Sequence, residues 1–179
     1  EIAYLIRDEK GKPIRMIGLL RDCTENRALQ YQKQIQNKIS ELFKEPLKLS
    51  EILKKILEEF MRSGQFIISE IWLKNIEGNQ LNLITFNESQ ENNNNFYKNF
   101  KTYSKIPSDK GLPGLVYKSQ KPEIWNNLPE HPSFFRKDEA KESGLNSALG
   151  IPIEHGGIKL GALILGAKEN LTEDETQAL

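Results

Sequence analysis

The sequence predicts an α+β fold, and three patterns predict it. β-branched runs come in pairs around turn residues, at 2–7 with 14–21 and at 66–74 with 80–87. Two longer stretches, one on each side of Pro46, repeat their apolar residues at helical spacing. Short helix-like and strand-like segments bounded by Gly and Pro then alternate to the end.

Composition excludes several function classes. Lys+Arg and Asp+Glu are equal at 25 each, so the chain has neither the basic footprint of a nucleic-acid binder nor an acidic tail. A hydrophobic content of 37% is low for a compact chain and fits exposed helices and a long polar loop. The lone cysteine, Cys23, allows neither an internal disulfide nor a Cys-rich zinc site, and points to a reducing, cytoplasmic setting. No apolar run approaches the ~20 residues of a membrane span, so no membrane contact is expected. The chain begins without methionine and in mid-pattern, which reads as a segment of something longer.

The first hairpin turns through Asp8-Glu9-Lys10-Gly11-Lys12-Pro13, where Gly11 supplies a positive φ. Two strands alone do not bury both faces in water, so these are expected either to pair with a second copy or to belong with strands upstream of Glu1. Thr24 is placed to cap the helix that follows, with Glu25 in its first turn. Ala28, Gln32, Ile35, Ile39 and Leu42 then keep a 4-3-4-3 spacing, the seam of a two-stranded coiled coil and hence of a homodimer. Gln32 is the kind of polar seam residue that fixes register at a cost in stability. A solvated spacer helix is the competing reading.

Pro46 interrupts that helix, and Ser50 is placed to cap the next. Leu49, Ile52, Leu53, Ile56, Leu57, Phe60 and Met61 form the stripe of a helix packed on a core, ended by Ser63-Gly64. In the strand at 66–74, Ile67, Ser69, Ile71 and Leu73 share one face, suited to lying under the helix. Phe66, Ile68, Glu70 and Trp72 share the other, a mix of aromatic and polar groups like the wall of a cavity. Residues 89–95 are a polar tract expected to be a mobile surface loop, and 96–103 a short helix. A helix is expected at 111–119, a brief strand at 122–125, a two-proline loop at 128–136, and a helix at 137–143 stopped by Gly144. Strands at 147–154 and 158–168 form a hairpin about His155-Gly156-Gly157. Thr172 and Glu175, at capping-box spacing, begin a last helix.

Two families are visible in these patterns. The hairpin that leads through Asp22-Cys23-Thr24-Glu25 into a helix resembles the end of a PAS domain and its output helix. That resemblance makes Asp22 and Thr24 the junction, and supports no inference about a PAS ligand because most of that domain is not in the sequence. From about Leu47 the chain resembles a GAF domain. The resemblance rests on Gly111-Leu112-Pro113-Gly114-Leu115-Val116-Tyr117, Pro122-Glu123-Ile124-Trp125, Gly144-Leu145-Asn146-Ser147-Ala148-Leu149-Gly150-Ile151-Pro152-Ile153 and Gly161-Ala162-Leu163-Ile164-Leu165-Gly166-Ala167. It implies a central antiparallel sheet with helices on one face and a covered pocket on the other. The expected organisation is a PAS-terminal hairpin at 1–24, a connector helix at 25–45 and a GAF domain at 46–179.

Trp72, Phe86, Val116, Trp125, Phe134 and Phe135 are the expected pocket lining, although the same residues would also suit a filled core. GAF domains that hold a linear tetrapyrrole covalently use a cysteine inside the domain, and Cys23 lies before it. Haem would want a pocket histidine, but His131 and His155 fall in a loop and a turn and read as solvent-facing. Zinc lacks ligands. Of a cyclic-nucleotide signature, Phe134-Phe135-Arg136-Lys137-Asp138-Glu139 has the Phe and Asp-Glu without Asn and Lys partners, and reads as a surface helix start. No phosphate-cradling loop, nucleophile elbow or catalytic triad is visible, so no catalytic residue and no metal ligand is expected. The resemblances together imply a regulatory segment of a bacterial PAS–GAF sensor histidine kinase, acting as a homodimer through its connector helix and taking an unidentified small molecule. The alternatives are a small-molecule or cyclic-nucleotide sensor of a diguanylate cyclase or transcription activator, or a purely structural dimerisation module.

Overall fold

The computed structural model describes residues 2–7, 11–19, 24–62, 65–89 and 96–172, with the backbone alone at 2–7, 13–19, 24–29, 31, 32 and 100. The junction residues Asp22 and Cys23, the helix stop at Ser63-Gly64, the polar tract at 90–95 and the last helix from residue 173 lie outside the described residues.

Strands β1 (Ile2–Arg7) and β2 (Pro13–Leu19) form an antiparallel pair, with a register shift between Ile6 and Arg7. Helix α1 (Thr24–Leu42) follows, its apolar spacing unbroken until the approach to Pro46. Helix α2 (Leu49–Met61) starts two residues earlier than Ser50 capping would allow, with Lys48 at the N-cap. The Lys48 N–H donates instead to Glu51 Oε2 at 3.2 Å, so the carboxylate three positions on satisfies an orphan donor and also meets the positive helix end. Ile52, Ile56, Leu57 and Phe60 of the expected stripe are buried, each such burial stabilising by about 1.5–3 kcal/mol. Leu49 is not; it is 59% exposed at the first position, before the stripe turns onto the sheet.

The sheet is six-stranded and antiparallel, in the order β5-β4-β3-β8-β7-β6. Its strands are β3 (Ile68–Lys74), β4 (Gln80–Glu88), β5 (Lys105–Pro107), β6 (Glu123–Asn126), β7 (Ser147–His155) and β8 (Ile158–Ala167). Short helices α3 (Phe100–Tyr103), α4 (Gly111–Ser119) and α5 (Lys137–Ser143) lie along the chain between strands. Gly78, with φ +74°, and Gly156 and Gly157, with φ +57° and +77°, make the two hairpin turns where the sequence placed them. Strand β5 had no signal of its own, since three residues are too few to show a period. Residues 96–103 are helical only over their last four positions, because Phe96 is instead buried in the core from a turn.

Two apolar clusters lie on opposite faces of the sheet. One joins Ile68, Trp72, Leu81, Ile106, Leu112, Val116, Leu128 and Leu145. The other joins Leu42 and the α2 stripe to Ile71, Leu149, Leu163 and Leu165. Strand β3 contributes alternately to both, as its sequence pattern predicts. The alternation starts at Ile68, however. Phe66 and Ile67 precede the pleat, and each packs in the cluster opposite to the one expected. β8 lies so close to β3 that a Cβ on Gly161 would stand 1.9 Å from the Trp72 carbonyl oxygen. Only glycine fits there.

Candidate functional site

The site forms where β3, α4 and the loop before α5 meet over the first cluster. Helix α4 begins at Gly111, which adopts φ +65°, and Lys110 at its N-cap provides no side-chain hydrogen bond. The N–H groups of Gly111 and Leu112 therefore have no carbonyl within the helix, and Pro113 in the first turn has none to satisfy. Val116 seats the helix against the sheet, where a Cβ on Gly150 would come within 2.5 Å of it. The Phe134-Phe135-Arg136 segment crosses the open end.

Two cavities result. An open groove of about 670 Å³ is lined by Tyr103, Lys105, Lys110, Leu115, Trp125, Phe135 and neighbours. Behind it is a chamber of only about 20 Å³, walled by Ile68, Glu70, Trp72, Leu112, Phe134 and Arg136 among others. Ile106, Gly111 and Phe135 border both. A water needs ~10–15 Å³ of such space, so the chamber is all but full.

Its polar content is one buried ion pair. Arg136 Nη1 donates to Glu70 Oε1 at 2.7 Å, and Trp72 Nε1 donates to Glu70 Oε2 at 2.7 Å. Glu70 is fully buried and Arg136 is 6% exposed. The guanidinium lies 4.4 Å from the Phe96 ring centroid and 6.0 Å from that of Phe134, within cation–π reach of both. Burial works against the Arg136 charge, but the charge and hydrogen bond of Glu70 outweigh it and hold the group above its ordinary value. Burial first, and then the Glu70 charge, push the Tyr97 hydroxyl well above the usual phenol range, so it is neutral at physiological pH. Arg136 Nε is buried with no hydrogen-bond partner among the described residues. A buried pair of this kind contributes little net stability over apolar residues, which draws attention to the donor it leaves open.

The expected pocket residues divide. Trp72, Phe134 and Phe135 wall the chamber, and Trp125 lines the outer groove. Val116 and Phe86 line neither; Val116 is wholly buried, and Phe86 stacks on Tyr97 with centroids 3.8 Å apart. His131 is partly exposed, with one ring nitrogen turned inward. It stacks on Trp125 at 4.0 Å with Nδ1 buried, and that burial, followed by the nearby Lys137 charge, lowers its pKa. The stretch expected to be a surface helix start instead buries Arg136 and Glu139, the latter accepting from Asn99 Nδ2 at 2.9 Å. Glu70 and Arg136 are the buried polar pair of this site, which the sequence reading did not single out. The available signal was Glu70 itself, a lone acid between Ile68 and Trp72 on a face read as a cavity wall, which required a cationic partner.

On the other face, Ile35 and Ile39 are half-buried against the second cluster, and Leu42 is 4% exposed within it. Those flanks are engaged within the chain itself. Asp22 is outside the described residues, and of Thr24 and Gln32 the backbone alone is described. Among the described residues, no group of three or more His, Cys, Asp and Glu could hold a metal ion, and no helix is long and apolar enough to cross a membrane.

A family model described as GAF domain matches residues 47–179. Among solved structures, the GAF domain of a phosphoenolpyruvate-protein phosphotransferase (ptsP) from Coxiella burnetii superposes with a TM-score of 0.64 at 20% identity, covering 85% of each chain. The nlh2 GAF domain of A. aeolicus in an inactive state gives 0.63 at 18% identity, covering 84% of this chain and 86% of that one. A free methionine-R-sulfoxide reductase from Neisseria meningitidis, solved with its substrate, gives 0.63 at 17% identity, covering 90% of this chain and 85% of that one. At such identities the likeness shows the fold alone. No curated protein matches the sequence.

Proposed function

The chain belongs to the GAF domain family, a regulatory and sensory fold, and on that premise we propose that it is the sensing and relay segment of a bacterial PAS–GAF histidine kinase. In this reading the hairpin β1–β2 ends a PAS domain, α1 is the connector, and the GAF domain reports the occupancy of its site through α1 in a cytoplasmic homodimer.

The observation that carries it is the two-faced strand β3. Glu70 and Trp72 wall the chamber, while Ile71 between them packs in the cluster that holds α2 and the end of α1. A shift of β3 on one side is therefore felt at Leu42 on the other, and a two-state element with differential contacts is what coupling requires. The fold also serves enzymes, as the reductase neighbours show. Residues 47–179 contain no cysteine, so a thiol-dependent reduction has no nucleophile there, which supports sensing over catalysis.

A second reading, a purely structural dimerisation module, draws on the nearly filled chamber of about 20 Å³. Native mass spectrometry separates the two. A dimer retaining extra small-molecule mass supports ligand-gated sensing, a bare dimer supports the structural module, and a monomer at all concentrations removes the connector seam. Gln32→Ile tests the seam directly, since an apolar residue there should move dimerisation to lower concentration.

A further inference from the structure

Residues 169–171, which leave the sheet after β8, are tied back to it by side chains. Asn126, the last residue of β6, takes both backbone groups of Leu171. Its Nδ2 donates to the Leu171 carbonyl at 3.2 Å, and its Oδ1 accepts from the Leu171 N–H at 3.1 Å. Ser147, opposite Asn126 in the β6–β7 register, donates to the Glu169 carbonyl, and Asn146 Nδ2 donates to Asn170 Oδ1 at 2.7 Å. Leu171 itself is 4% exposed, inside the cluster that also holds α2.

The other face of the same strand meets the groove. Trp125 lines it, packs in the first cluster and stacks on His131 with centroids 4.0 Å apart. Successive strand residues point to opposite faces, so one step along β6 separates the groove from the clamp on Leu171. Three features let β6 shift as a unit. It is an edge strand of four residues, paired with β7 alone. Asn127 follows at φ +54°, so the chain turns away immediately after Asn126. The two clamp bonds stand at the long end of the normal range, where a few tenths of an ångström more weakens both together.

We propose that β6 is a lever between the groove and residues 169–171, with Asn126 as the positioning residue at its far end. The inference rests on the sensing reading above and adds to it a route distinct from β3. A small molecule against Trp125 displaces the strand, the Asn126 clamp opens, and the start of the last helix expected from Thr172 is released. Clamp closed and clamp open are the two states that occupancy biases. The Asn126 amide is neutral, so this route carries movement and no charge.

Amide exchange by NMR on the 179-residue chain tests the lever without a ligand. Its failure is thus separate from failure of the sensing reading, which native mass spectrometry decides. Asn126→Ala removes two hydrogen bonds and should speed exchange at the Leu171 N–H roughly tenfold. The deciding variants lie on the groove side. Trp125→Phe and His131→Ala change no atom of the clamp, yet each should speed Leu171 exchange at least about threefold relative to the amides of β3. In the reverse direction, Leu171→Pro removes the N–H that Asn126 accepts. It should shift the indole signal of Trp125 but not that of Trp72, the chain's other tryptophan. A residue that merely anchors Leu171 would leave both signals in place. Wild-type exchange at Leu171 in both groove-side variants would overturn the lever, as would an unmoved Trp125 indole in Leu171→Pro. Should Trp125→Phe lose the dispersed spectrum of a folded chain, His131→Ala decides alone, since His131 is partly exposed.

Discussion

The buried pair of Glu70 and Arg136 offers the sharpest stability test. Arg136→Met keeps an unbranched apolar stem but leaves the Glu70 carboxylate, fully buried, with Trp72 Nε1 as its remaining hydrogen-bond donor among the described residues. Removing one partner of a buried pair costs about 3–5 kcal/mol, because the remaining charge loses its compensation in a medium that solvates it poorly. Glu70→Gln does the same to Arg136, although its cation–π contacts with Phe96 and Phe134 offset part of the loss. The double variant carries no charge, keeps an acceptor for Trp72 and should recover to within about 1–2 kcal/mol of the wild type. Urea denaturation followed by tryptophan fluorescence reads all four proteins. With a slope of about 2 kcal/mol per molar, a loss of ~4 kcal/mol lowers the midpoint by about 2 M. A midpoint for Arg136→Met within about 0.5 M of the wild type would refute the reasoning, as would a double variant no more stable than that single one.

Other consequences are as direct. Gly161→Ala places a methyl 1.9 Å from the Trp72 carbonyl oxygen, against backbone that cannot yield, and should cost at least about 3 kcal/mol in thermal denaturation by separating β3 from β8. Leu42→Ala empties a buried position between α1 and α2, and should cost about 2–5 kcal/mol. Because Leu42 holds the end of α1, hydrogen exchange should speed up in that helix more than in the sheet; equal protection would contradict this. His131 has a folded pKa below its unfolded value, so the unfolded chain binds the proton more readily. Stability should therefore be full above about pH 6.5 and fall as pH drops through the folded pKa, and His131→Gln should flatten that part of the urea-midpoint profile.

Much of the architecture was legible because it is written in periods. The α2 stripe, the hairpins about Gly78 and Gly156-Gly157, and the αL stop at Gly144 each depend on a few neighbouring residues, and the structure places them where that local chemistry predicts. Local reasoning failed where tertiary contacts compete with it. Phe96 is drawn from a helix-like stretch into the core. The site was half legible. Trp72, Phe134 and Phe135 were found as aromatic groups near a cavity-wall strand, but Arg136 was read as surface because its partner lies 66 positions away.

The sequence by itself determined most of the elements, the two-faced character of β3, the GAF resemblance, and the absence of any thiol from residues 47–179. Each is a property of short-range spacing or of composition, and needs no knowledge of what lies across the sheet. Tertiary structure alone decided that the wall acid Glu70 meets Arg136, that Phe135 borders both the groove and a chamber of about 20 Å³, and that Val116 is buried in the core with Phe86 packed against it. A cavity is a difference between packed volumes contributed by distant segments, and a buried charge is defined by its partner. Neither quantity exists until the chain has folded.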